Sequence, residues 1–446
     1  MKLDRVTLTN FRGVSHLELS LDNQLNVLVG DNTVGKTAVL EGIVLGLGVA
    51  LGHLPKVKGR SFRPTDLRKI FRPSDGKVDQ FAPYARVVME GRANGQQITW
   101  DRTEKRDKSK KTASEIPKAV GPAALKAHLD PIIHAIETGG SASLPLFAYY
   151  ATDRAVPLIP QRQRNFHDPG FRYQGLNGAL DNGLSFKDVL EWVLYQEDVE
   201  RRERERERDF DYRDPVLEAV RQAVATMVPG AHNPRTELQP IRFLVDIETE
   251  DGGLENLDLA QISDGYRTAL GLAIDLARRM AQINPHMGNP VQETEGVVLI
   301  DEVDLHLHPR WQQHILDDLQ RTFPNIQFIV TTHSPQVLTT VQPEHIIHLR
   351  RSEGEIVDEA PATSSYGAES GRLLSEIMEV DERPDNEFTK NLREYWDEIE
   401  KGEGEAPHAR SLRAYLDERS PGDPSLTRAD MEIRRRKALE RRGMKP

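Results

Sequence analysis

The chain has 446 residues, more than one hydrophobic core usually serves, so two or three lobes are expected. An apolar share of 38%, a charged share of 29% and a formal net charge of −11 predict a soluble protein with long exposed helices and argue against indiscriminate coating of nucleic acid. The lack of cysteine excludes disulfides and thiolate metal sites and fits a reducing cytoplasm. No apolar run reaches the ~18 residues a membrane span needs. No secretory leader opens the chain, so the expected location is cytoplasmic, with no membrane partner.

In chain order, residues 2–13 and 14–21 alternate apolar and polar positions and predict two antiparallel strands flanking the strand that follows. That strand, residues 25–29, runs into Gly30-Asp31-Asn32-Thr33-Val34-Gly35-Lys36-Thr37 and then a helix start at 38–45. Strand, G-x-x-x-x-G-K-T, helix is the setting in which a loop cradles phosphates. The glycines let the backbone curl, so that successive N–H groups converge at the positive end of a helix dipole. Lys36 then reaches the β- and γ-phosphates, and the Thr37 hydroxyl ligates Mg²⁺. Asn32, Thr33 and Gly35 are the other nucleotide-binding candidates of the loop.

Charge is uneven beyond this point. Residues 54–112 hold 16 Lys and Arg against 7 Asp and Glu. Such a basic lobe permits a nucleic-acid face on an acidic chain, a solvated surface being the plainer alternative. Within it, 84–90 and 97–100 read as strands and 101–111 as a mobile charged loop. A helix over 123–137, a buried strand over 144–150 and the polar turn Ala151-Thr152-Asp153-Arg154 come next.

Residues 185–226 read as helical, with Phe186, Val189, Leu190, Val193 and Leu194 as one apolar stripe. Residues 201–208 alternate Arg and Glu, a solvated helix or tether rather than a binding site, without the heptads of a coiled-coil arm. Strands are then expected at 241–248, 296–300, 327–331 and, as the terminal strand, 345–349, with helices at 260–281 and 311–323. Apolar strands alternating with helices imply a parallel sheet covered on both faces. Past residue 361, segments 366–379, 386–401, 407–418 and 425–441 read as helices of a separate tail.

Three further motifs carry chemistry. Val297-Val298-Leu299-Ile300 is a strand ending in Asp301-Glu302. Asp301 suits a Mg²⁺ ligand and Glu302 a base that polarises water. Ser263-Asp264-Gly265 stands ahead of a long helix and offers a hydroxyl and free N–H groups to a γ-phosphate. Thr331-Thr332-His333-Ser334-Pro335 ends the next strand, with His333 placed to hydrogen-bond that phosphate. His306 and His308 beside the carboxylates need no metal to explain them.

In this order and spacing, the four motifs resemble the ATP-binding-cassette class of ATPases in its RecF, Rad50, SMC and OLD-like branch. Gly30 to Thr37 looks like Walker A, Ser263-Asp264-Gly265 like the signature, Asp301-Glu302 like Walker B and His333 like the switch histidine. Asn10-Phe11-Arg12-Gly13 is similar to that branch's opening strand, whose arginine, here Arg12, approaches the nucleotide. There are departures: Asp264 replaces the usual second glycine, and the Q-loop glutamine has only Gln161 and Gln163 as candidates. The resemblance implies an α/β ABC-type head with a mixed, mainly parallel sheet and an N-terminal antiparallel sheet. Its parts would be 1–180, with a basic insert at about 52–112, and 236–360, separated by a helical insert lobe at 181–235. A helical tail, 361–446, would bind a partner or support an oligomer.

Two phrases, SLPLFAYYATDRAV and GEAPHARSLRAYLDERSPGDPSL, look like the ATPase subunits of Septu anti-phage systems, also found beside retrons. That resemblance implies ATP and Mg²⁺ as cofactors and a homodimer or higher oligomer with composite sites. One copy supplies Lys36, Thr37, Asp301, Glu302 and His333, and the other Ser263 and Gly265. It also implies control of a separate HNH nuclease, since no nuclease motif stands on this chain, and contact with DNA or other nucleic acid through residues 54–112. A RecF-like repair ATPase acting on DNA without a nuclease is the second reading. A transporter-type subunit is disfavoured by the Asn10-Phe11-Arg12-Gly13 start and the unclear Q-loop.

Overall fold

The structure, a computed structural model, describes residues 1–70, 80–153, 171–181, 186–239, 241–249, 251–359, 364–381 and 383–441. Arg154, Gln161, Gln163 and part of the basic stretch lie outside them. The chain divides into two compact units, Met1–Met378 and Glu379–Pro446.

The first unit begins with β1 (Lys2–Phe11), β2 (Val14–Ser20), β3 (Leu25–Val29) and α1 (Lys36–Leu51). It continues with the short β4 (Lys69–Ile70) and β5 (Gln80–Phe81), the hairpin β6 (Tyr84–Ala93) and β7 (Gln96–Lys105), then α2 (Lys110–Glu115), α3 (Ala123–Glu137) and β8 (Leu146–Tyr150). Next come α4 (Phe186–Glu207), α5 (Pro215–Met227), β9 (Ala231–Leu238), β10 (Ile241–Glu248), β11 (Leu254–Asp258) and α6 (Asp264–Ile283). α7 (Pro290–Glu293), β12 (Gly296–Ile300), α8 (Pro309–Gln312), α9 (Ile315–Thr322), β13 (Ile326–Thr331) and α10 (Pro335–Leu338) follow. β14 (Ile346–Ser352), β15 (Glu355–Glu359) and α11 (Ser370–Glu376) complete the unit.

The central sheet has the order β15-β14-β3-β13-β12-β8, parallel except for β15. Every residue of β3, β8, β12 and β13 is buried, as expected for a parallel sheet covered on both faces. The two opening strands do not flank β3 in this sheet. They belong to a separate antiparallel sheet, β2-β1-β6-β7, because β1 pairs with β6 as well as with β2. Packing against α1 fixes that sheet: buried Trp100 of β7 donates its Nε1–H to the Gly46 carbonyl at 2.9 Å.

Four further sequence expectations are corrected. The separate tail begins at Glu379 rather than at 361, since α11 belongs to the first unit and its Leu373 is buried in that unit's core. The stretch 101–111 is a loop only over 106–109; residues 101–105 continue β7 and Lys110 begins α2. Its first charge is satisfied by the fold, since buried Asp101 accepts from Arg86 Nε at 2.7 Å and from Gly121 N at 2.6 Å. The helix expected at 311–323 is two helices, α8 and α9, with the break beside Gln312, whose side chain is held by the Leu307 carbonyl at 3.0 Å and the Ser334 hydroxyl at 2.8 Å. Finally β14 is not terminal: the chain turns at Glu353-Gly354, both with positive φ, and pairs β15 against it.

The Arg/Glu run is part of α4. Its start is anchored by buried Glu200, which accepts from Arg204 at 2.7 Å, Arg221 at 2.8 Å and Asp214 N at 2.9 Å, tying α4 to α5. A three-stranded sheet, β11-β10-β9, follows. α6 is buried from Thr268 to Ile283 because its Asp275 is neutralised on the same helix. Asp275 is fully buried and accepts from Arg278 at 2.6 Å, Arg279 at 2.8 Å and the Tyr150 hydroxyl at 2.8 Å.

The second unit holds α12 (Glu387–Glu400), α13 (Pro407–Arg419) and α14 (Pro424–Arg441). They close over their own core, in which Leu392, Tyr395, Ile399, Leu412, Leu416 and Leu426 are buried.

Breaking the α6 cluster would leave two guanidiniums in the core without a carboxylate. Asp275→Ala is expected to lower stability by about 3–5 kcal/mol, read as a fall in the urea midpoint followed by circular dichroism. An unchanged midpoint would contradict the structural role of the cluster.

Candidate functional site

The phosphate-type loop leaves β3 at Gly30, where φ is 138° and a Cβ would lie 2.2 Å from the Leu349 carbonyl oxygen. Only glycine lets the chain turn there against β14. Gly35 is the N-cap of α1, and the loop closes when Lys36 Nζ donates to the Gly30 and Asp31 carbonyls at 2.6 and 3.0 Å. Burial lowers the Lys36 pKa to about 8, against the pull of Asp301, Asp31, Glu302 and Asp304.

The second part of the site follows from register. β12 and β13 are parallel neighbours with Ile300 opposite Val330, so the residues just beyond the two strands meet. Asp301 is buried there. Its Oδ2 accepts from the Thr37 hydroxyl at 2.8 Å and its Oδ1 from the Thr331 hydroxyl at 2.6 Å. Its own N–H donates to the Tyr150 carbonyl at the end of β8, at 2.8 Å. Glu302 has a φ of 48° and donates its N–H to Thr331 Oγ1 at 2.7 Å. Asp304 Oδ1 accepts from the Thr332 hydroxyl at 2.6 Å and from His333 N at 3.4 Å. Partial burial and the nearby Lys36 charge lower the His333 pKa, which favours the neutral imidazole.

Asn32, Gly35, Lys36, Thr37, Asp301, Glu302 and His333 line one cleft of about 360 Å³. It joins an ammonium, a helix N-terminus and two carboxylates, which suits a polyphosphate carried with a cation. The Thr37 hydroxyl and Asp301 carboxylate are hard oxygen donors 2.8 Å apart, the donor type Mg²⁺ takes. Among the described residues no group of three or more His, Asp or Glu could hold a metal ion alone. A Mg²⁺ ion here would therefore complete its shell with phosphate and water oxygens.

Four sequence candidates lie apart from this lining. Arg12, at φ 50°, is tied to Asp66 through Nε at 2.9 Å and to Glu41, and it borders a different, basic depression with Arg68, Lys69 and Arg351. Thr33 is exposed on the loop. Ser263 caps α6 in an extended conformation, and Gly265 packs so closely on the His306 carbonyl that a Cβ would come within 2.5 Å. Thr331 and Asp304 were not singled out from the sequence. Adjacency of β12 and β13 is what brings their side chains to the carboxylates, and a single sequence does not specify which strands are neighbours.

The family described as "AAA domain, putative AbiEii toxin, Type IV TA system" matches residues 93–339, and "AAA ATPase domain" matches residues 1–47. The chain is 38% identical to "Retron Ec83 probable ATPase" of Escherichia coli over 229 residues, 51% of this chain and 40% of that one. It is 24% identical to "Retron Vc95 probable ATPase" of Vibrio cholerae over 462 residues, 93% of this chain and 86% of that one. It is also 38% identical to "Septu protein PtuA" of Bacillus mycoides over 131 residues, 28% of this chain and 18% of that one. The chain thus spans less than half the length of the Escherichia coli and Bacillus mycoides relatives, and most of the Vibrio cholerae one.

Gly30→Ala is expected to destabilise the first unit by about 1–3 kcal/mol from backbone strain alone, with a lower urea midpoint. A midpoint equal to that of the parent chain would show that the loop does not need its left-handed turn.

Proposed function

The chain belongs to the family described as "AAA domain, putative AbiEii toxin, Type IV TA system", and from that premise we propose that it binds and hydrolyses ATP. The observation that carries this reading is the cleft, in which Thr37 and Asp301, 264 positions apart, share a hydrogen bond. Lys36 would exchange its two loop carbonyls for β- and γ-phosphate oxygens. Thr37 and Asp301 would hold Mg²⁺, whose charge offsets that of the phosphates. Glu302 would accept a proton from the attacking water, and His333, neutral in the cleft, would donate a hydrogen bond to the γ-phosphate.

Ser263 and Gly265 would complete the site from a second copy, so that ATP joins two chains and hydrolysis releases them. Ser263 is exposed at the start of α6, which leaves it open to a second copy and supports this arrangement. The complex would serve anti-phage defence, with the second unit, the helical tail from Glu379 on, engaging a separate HNH nuclease that the nucleotide state controls. Similarity to Septu PtuA and to the two retron ATPases supports the defence part of this reading. Nucleic acid would be contacted by the exposed lysines of the basic stretch, Lys58, Lys105, Lys108 and Lys110 among them. Five arginines of the stretch are already engaged in ion pairs: Arg60 with Glu41, Arg68 with Glu355, Arg86 with Asp101, Arg92 with Asp4 and Arg106 with Asp107. No helix among the described residues is long and apolar enough to cross a membrane.

Glu302→Gln is expected to keep ATP binding, to lower the rate of phosphate release by about 100-fold or more, and to accumulate as an ATP-dependent dimer on light scattering. Hydrolysis by this variant at the parent rate would remove Glu302 as the base.

A further inference from the structure

We propose that Thr331 is a positioning residue for hydrolysis, its hydroxyl fixing both the Asp301 carboxylate and the backbone of Glu302. The inference rests on the ATPase reading above.

Thr331 is the last residue of β13 and is fully buried. Its Oγ1 lies 2.6 Å from Asp301 Oδ1 and 2.7 Å from Glu302 N. The polarity of the pair is forced. A backbone N–H can only donate, so Oγ1 accepts from Glu302, and the single hydroxyl hydrogen is left for the carboxylate. Oδ1 is thereby pinned, and Oδ2 is the oxygen turned toward Thr37, at 2.8 Å. One side chain thus holds the Asp301 carboxylate in the rotation that presents its other oxygen to Thr37 and the candidate cation position.

The same residue holds the turn that carries Glu302. A φ of 48° is uncommon for a residue other than glycine and persists only where surrounding contacts enforce it. Glu302 N donates to Thr331 Oγ1, and the next amide, Val303 N, donates to the Thr331 carbonyl at 2.9 Å. Two successive amides are therefore fastened to one residue, one through its side chain and one through its main chain. Valine would fill the same volume while leaving an amide and a carboxylate oxygen without their hydroxyl partner. Serine would restore both bonds.

The test uses the full chain with Thr331→Val, Thr331→Ser and Glu302→Gln. It measures kcat and KM for ATP, and ADP affinity by calorimetry with and without Mg²⁺. Thr331→Val is expected to lower kcat by about 10- to 100-fold with little change in KM, and to reduce the Mg²⁺-dependent gain in ADP affinity about tenfold while Mg²⁺-free ADP binding is unchanged. Thr331→Ser is expected to stay within about threefold of the parent chain in both readouts. Parent values for Thr331→Val would overturn the inference, and so would a serine chain as impaired as the valine one, since packing rather than the hydroxyl would then be at work. Should the valine chain not fold, Thr331→Cys, with a weak thiol donor, takes its place under the same expectations. If Glu302→Gln is inactive while Thr331→Val matches the parent, only the role of Thr331 falls. If Glu302→Gln hydrolyses at the parent rate, or the parent chain does not hydrolyse ATP, the ATPase reading falls and this inference with it.

Discussion

The buried carboxylate of Asp301 is the point on which the first unit's chemistry depends. It stands at the end of β12 and accepts hydroxyl hydrogens from Thr37 at the start of α1 and from Thr331 at the end of β13, at 2.8 and 2.6 Å. Its own amide is held by the carbonyl of Tyr150, at the end of β8. A buried ionised carboxylate is costly unless its oxygens are hydrogen-bonded. Here two distant segments supply those bonds and are brought together by doing so. The parallel sheet makes the meeting possible: β3, β13 and β12 lie side by side, so the segments that follow them emerge along one edge.

Much of this was legible in the sequence for identifiable reasons. Gly30, Gly35 and Lys36 sit in a loop whose spacing is tightly constrained, between an apolar strand and a helix, and local sequence alone predicts that arrangement. The runs that became β8 and β12 are continuously apolar, and β13 is apolar apart from Gln327 and Thr331, because both faces of the sheet are covered. Asp301, Glu302 and His333 were predicted from position, each just past such a strand, and the structure gathers them beside Lys36.

What the sequence left obscure depends on pairing at a distance. The opening strands alternate as expected, but their partnership with β6 in a second sheet lies in hydrogen bonds to residues more than 70 positions away. The charged stretch after Trp100 suggests a loop until the partner of Asp101 is known to be Arg86 across the hairpin. β9 and β11 carry no apolar run of their own and pair only through β10. Thr331 stood in the fourth motif without a role for the same reason, as its partners follow the neighbouring strand.

The central claim is that the cleft formed by Lys36, Thr37 and Asp301 is a nucleotide site, and equilibrium binding tests it most directly. Titrating Mg·ATP into the intact chain and into Lys36→Ala by calorimetry should show saturable binding for the parent, one ATP per chain, and loss of that binding in the variant. Equal affinity in both chains, or no saturable binding to the parent, would contradict the account.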